Sequence, residues 1–187
     1  MVEAHDHTEY SVKTHRHSAD FIQTADAVVT NTVAETTIMG AGVGSLTVPR
    51  GWWTPGKMVR ITGHGVYSTP VVGSEVTVRV YIGDTVVGSV LTSALVSNAT
   101  DEAWSGEIEI LCRDGGAGGV VVCGGSVHYE SSSAGAANRV FDSLDNDGAE
   151  TAIDFTTGEL DIDVTVQWDS ATSSRSVTST IMTMELL

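Results

Sequence analysis

The chain has 187 residues, 41% of them hydrophobic and 18% charged, with 20 glycines, only 3 prolines and a net charge of −15. That length suits one domain with a short appendage. No apolar run nears the ~18 residues of a membrane span, and so acidic a chain repels phosphate backbones, so neither a membrane helix nor direct nucleic-acid binding is expected.

Residues 1 to 26 are polar, rich in His and charge, and show no strand alternation until Phe21-Ile22. They read as an attachment arm, with a domain over residues 27–187. The first residues, Met1-Val2-Glu3-Ala4-His5-Asp6-His7, have neither the basic start nor the apolar stretch of a secretory leader, so synthesis in the cytoplasm is expected. From Ala27 onward strand follows strand. Short strands flank the flexible Gly40-Ala41-Gly42-Val43-Gly44. Residues 57–69 then alternate, with Val59, Ile61, Gly63, Gly65 and Tyr67 on one face. Val76, Val78, Val80 and Ile82 face one way in the next strand, and Gly83-Asp84 marks a tight turn into residues 85–91.

The second half behaves alike. Ile108, Ile110 and Cys112 point inward from one strand, and residues 120–130 return antiparallel to it. Leu160, Ile162, Val164, Val166 and Trp168 form an inner face, with Asp161, Asp163, Thr165 and Gln167 outward. Strict alternation over residues 176–187 sets Val177, Ser179, Ile181 and Thr183 against Thr178, Thr180, Met182 and Met184. Only residues 21–28 and 136–144 are compatible with a helix, a turn or two each. Many short strands with regular turn signals predict an all-β protein, a jelly-roll-like antiparallel β-sandwich with a short irregular N-terminal arm.

Cys112 and Cys123 flank the Gly-rich turn 113–119. A turn centred near Ala117 and Gly118 sets the two sulfurs opposite each other, either as buried free thiols or as a cross-strand disulfide formed after release. The acidity has two readings, solubility or adaptation to high salt. Outward acids such as Glu107, Glu109, Asp161 and Asp163 imply self-repulsion that salt relieves.

Signatures of enzymes fail: there is no G-x-S-x-G elbow, no H-E-x-x-H and no phosphate loop. An enzyme is therefore not expected. Two H-x-H pairs stand in the arm, His5 with His7 and His15 with His17. In an extended chain the two His of a pair lie ~6.5–7 Å apart, too far to share one ion within a chain. Three copies around an axis can converge on a divalent transition metal; otherwise the pairs belong to a solvated arm. Trp52-Trp53 either stacks on a sugar or partner, or plugs the open end of the sandwich.

Three stretches carry a resemblance: residues 24–40 with Glu35-Thr36-Thr37, then Gly44-Ser45-Leu46-Thr47-Val48-Pro49, then Gly56-Lys57 through Arg60-Ile61 to Ser68. With the closing strands from Leu160 to Leu187, they resemble small β-sandwich virion proteins of tailed phages and related viruses, of head-fibre, decoration or tail-fibre type. The resemblance implies a symmetric homo-oligomer, commonly a trimer. It would attach by a terminal segment to the major capsid protein or another virion protein, and so be located in the virion. The His pairs resemble the metal motifs of some trimeric phage fibres. An alternative is a receptor- or glycan-binding module at a fibre tip, using Trp52, Trp53 and the loop 131–138.

Overall fold

The computed structural model describes residues 19–70, 74–133, 136–145 and 149–187. Five short strands come first: β1 (Phe21–Gln23), β2 (Ala27–Thr30), β3 (Thr36–Thr37), β4 (Gly42–Gly44) and β5 (Thr47–Val48). Long ones follow: β6 (Met58–Thr69), β7 (Val76–Ile82), β8 (Thr85–Leu91), β9 (Ala99–Asp114), β10 (Gly119–Ser133) and β11 (Ala136–Asp145). The chain closes with β12 (Thr151–Ile153), β13 (Leu160–Trp168) and β14 (Ser176–Leu186). Among the described residues the one helical element is a 3-10 turn at Gly116–Gly118.

Every strand pairing is antiparallel, and the strands form two layers. One runs β3-β13-β7-β8 and the other β11-β10-β9-β6-β14-β1-β4, joined edge to edge among the described residues where Asp145 meets Ser89. The pairing is nested: β6 with β14, β7 with β13, β8 with β11 and β9 with β10. A double ribbon wound on itself gives this order, so the domain is a jelly-roll-like β-sandwich. Alternation places the core as expected: Val59, Ile61 and Tyr67 of β6 and Val76, Val78, Val80 and Ile82 of β7 are all buried between the layers. Close approach of the layers explains Gly88, where an added Cβ would lie 2.7 Å from the Cys123 sulfur. A small apolar cavity of about 50 Å³ remains between the sheets, lined by Ile38, Tyr67, Leu95, Trp104, Tyr129 and Val166 among others.

The structure corrects the sequence reading at five places. Residues 21–23 are not arm: β1 lies between β14 and β4, with Phe21 and Gln23 buried. Both helix-compatible stretches are strands, because an unpaired sheet neighbour recruits them. Alternation in β14 is interrupted by a bulge between Ser179 and Ile181, which leaves Thr180 out of the ladder register and reverses the phase. Val177 and Ser179 point inward before it, and Met182 and Met184 after it, so Ile181 is exposed.

The cysteines are also out of line. A bulge at Val120 and Val121 sets Cys112 opposite Val121 and Cys123 opposite Ile110, two residues apart along the ladder. Both are free and buried, and burial pushes the Cys123 thiol up to about 12. Finally, Thr165 is buried, because the segment preceding β3 covers the outer face of β13 and its Glu35 accepts the Thr165 hydroxyl.

Candidate functional site

The sandwich has two chemically different ends. The chain enters it at Asp20, whose N–H donates to Met184 O at 2.7 Å and whose carboxylate accepts the Leu186 N–H at 2.7 Å. Leu187 pairs with Met58 at that same end. Twelve residues of β6 at ~3.4 Å each put the other end ~40 Å away. There a hollow is lined by Ser68, Thr69, Pro70, Asn98, Thr100 and Ser174 among others. Asn98, Asp101 and Ser174 around it hold positive φ of 59°, 52° and 73°. Such backbone strain in non-glycine residues persists only where surrounding contacts enforce it.

Trp52 and Trp53 lie at the entry end. Trp53 is 3% exposed, stacked on Phe155 with ring centroids 5.0 Å apart and an interplanar angle of 17°. It plugs the sandwich, and that burial removes it from any surface that could stack on a partner. Trp52 stands edge-on to it at 5.0 Å, half-buried, with the Lys57 ammonium 5.6 Å from its ring. His5, His7, His15 and His17 lie outside the described residues. Among the described residues no group of three or more His, Cys, Asp or Glu is placed to hold a metal ion, and no helix is long and apolar enough to cross a membrane.

The outward acids are locally engaged. Arg60 donates to Glu109 at 2.8 Å and lies 3.6 Å from Glu107. Thr47 donates to Asp161 at 2.6 Å and Thr37 to Asp163 at 2.5 Å. Repulsion within one subunit is therefore weaker than the net charge alone implies, although each exposed pair contributes little.

Glu35 gathers three donors: Thr165, Tyr81 at 2.8 Å and Arg79 at 2.9 Å all donate to it. Burial pushes its carboxyl up, but the Thr165 and Tyr81 hydroxyls and the Arg79 charge outweigh this and hold it below the ordinary range. Asp163 beside it goes the other way, raised chiefly by burial against the opposing Thr37 hydrogen bond. A depressed carboxyl contributes stability above its unfolded value and loses it as pH falls through the folded one. A raised carboxyl contributes below its unfolded value and loses it as pH rises through the folded one.

Glu35→Gln should therefore lower stability by about 1–2 kcal/mol near neutrality, through the charged hydrogen bonds lost. Asp163→Asn should raise it there. The Asp163 difference should close as pH falls below the ordinary carboxyl range, and the Glu35 difference only at lower pH, as its depressed folded value is crossed. Melting curves of the two variants against pH check this. Shifts of the same sign at neutral pH would show that the two carboxyls do not oppose one another.

On the outer face of the larger sheet, register brings His64 and His128 to either side of Ser105, two strands and ~10 Å apart. His128 is held by the Ser126 hydroxyl at 3.0 Å. Towards β14 the face becomes apolar and uncharged, with Ile181, Ile22, Val28 and Val43 exposed. The sequence reading missed this patch. Its one local signal is the polar run Thr178-Ser179-Thr180 before Ile181, where a bulge interrupts the apolar alternation. The chain matches no family model, no curated protein and no solved structure.

Proposed function

We propose that this chain is a virion structural protein of capsid-decorating or head-fibre type, anchored by its N-terminal segment and assembled as a symmetric oligomer. The observation that supports this most is the lengthwise polarity of the sandwich. The chain enters at Asp20 beside Met184 and Leu187 at one end, and the β10–β11 hairpin and the strained loops at Asn98 and Ser174 occupy the other. A domain so built stands upright on whatever its N-terminal segment grips, which suits a major capsid protein as the partner. The test is an antibody against the purified chain, applied to density-purified virus particles. Labelling at regular positions on the head is the expected result, and recovery of the chain only in the particle-free fraction would refute it.

A second reading, recognition of a glycan at a fibre tip, is favoured by the hydroxyl-rich hollow at the end remote from the chain entry. It places the sugar away from Trp52 and Trp53, which sit at the entry end. Retention on a glycan array that Thr100→Trp abolishes would favour it over simple decoration.

A further inference from the structure

We infer that the outer face of the larger sheet, where β2, β14, β1 and β4 meet, is the surface by which the chain binds a second copy of itself. This rests on the assembly reading above and assigns that assembly to one face. Four large apolar residues stand exposed there: Ile22 at 43%, Val28 at 56%, Val43 at 70% and Ile181 at 51%. Register places them together. Ile22 lies opposite both Val43 and Thr183, Val28 lies opposite Thr178, and Ile181 lies opposite His64, an exposed position of β6. Directly paired residues share a face, so all four project to the same side.

The charge pattern identifies the occupant. The strands β1 (FIQ), β2 (AVVT) and β4 (GVG) carry no charged residue, and neither does β14 before Glu185. In a chain of net charge −15, two copies repel one another across most of their surfaces. An uncharged apolar face is where two copies can approach, and depletion of charge is what marks the centre of an interface. Part of the polar surface in the patch is paired internally, the Thr62 and Thr183 hydroxyls bonding each other at 2.7 Å and the Thr180 hydroxyl donating to His64 O at 3.2 Å, which lowers the cost of covering it.

The size also fits. Strands β1 and β2 lie end to end along one flank of β14, so with β6 the face is four strands wide, and at ~4.8 Å spacing over a length of ~20 Å it covers about 380 Å², the scale of an interface core within the ~800 Å² that each partner contributes. Strand β4 adds an edge free of the charge, proline or bulge that guards edges elsewhere, all three of its residues being exposed.

Sedimentation of the full chain over a micromolar concentration series tests this, with Ile181→Lys and Val43→Lys as variants and Leu91→Lys as the control. Leu91 is equally exposed but lies on the other sheet. Each lysine reduces the net negative charge, so general electrostatics would strengthen association. A copy bound at this face should instead dissociate on the order of 100-fold more readily in the two patch variants. The control should associate at least as well as the parent, and melting temperatures check that all three variants fold. Patch variants that associate like the parent would overturn the assignment while leaving assembly, and particle labelling, intact. Equal weakening by Leu91→Lys would overturn it too. A full chain that stays monomeric throughout would remove both the face and the oligomer.

Discussion

Replacement of Trp53 by alanine is expected to destabilise the domain by about 3–5 kcal/mol, the range for removing a buried aromatic side chain. At roughly 2–4 °C per kcal/mol for a chain of this size, the melting temperature should fall by about 10 °C. The ring is buried, stacked on Phe155 and braced by Trp52, and Gly115 lies so near that an added Cβ would be 2.9 Å from Trp53 O. Nothing close by can collapse into the vacated volume without moving the β9–β10 turn. Trp53→Phe should recover much of the loss. It keeps the stacking on Phe155 and removes an indole N–H that is buried without a hydrogen-bond partner.

Trp52→Ala should cost no more than about 1 kcal/mol, because it loses mainly an edge contact and the Lys57 cation. Thermal unfolding followed by near-ultraviolet dichroism measures all three. Equal small losses at both tryptophans would mean that the pair is surface apparatus after all.

The second large effect concerns the start of the domain. A chain beginning at Ala19 and one beginning at Ala27 should differ by about 4 kcal/mol or more, near 10 °C in melting temperature. The shorter chain loses the buried Phe21 ring and uncovers one flank of β14. It also loses Gln23, whose side-chain amide donates to Ala25 O at 2.6 Å and to Ser179 O and Ser179 Oγ at 3.1 Å each. Ser179 sits at the bulge of β14 and itself donates to Ile38 O, so this network holds an irregular backbone in place. Gln23→Leu in the longer chain should account for about 2 kcal/mol of the difference. Chains that melt together whether they begin at Ala19 or Ala27 would show that β1 is an ornament of the fold and that the domain starts at Ala27.

The all-β class, the sandwich and the inward faces of β6, β7 and β13 were legible in the sequence alone. Period-two alternation of Val, Ile and Thr is a local property, and burial of one face follows from it wherever the strand pairs. The plug role of Trp53 was one of two readings that the sequence left open, and only the position of Phe155, a hundred residues further on, decides it.

Other features were not written locally at all. Gln23 and Ser179 are separated by 156 positions, and Glu35 and Thr165 by 130, so neither the burial of β1 nor the covering of β13 has a nearby signature. The bulges in β14, at Thr180, and in β9, at Arg113, work in the same way. One unpaired residue reverses every side chain beyond it, moving Ile181 outward and the cysteines out of line. Which residues are buried within a strand is decided by neighbours in sequence. Which strand face is covered, and by what, is decided by partners that only the folded chain brings together.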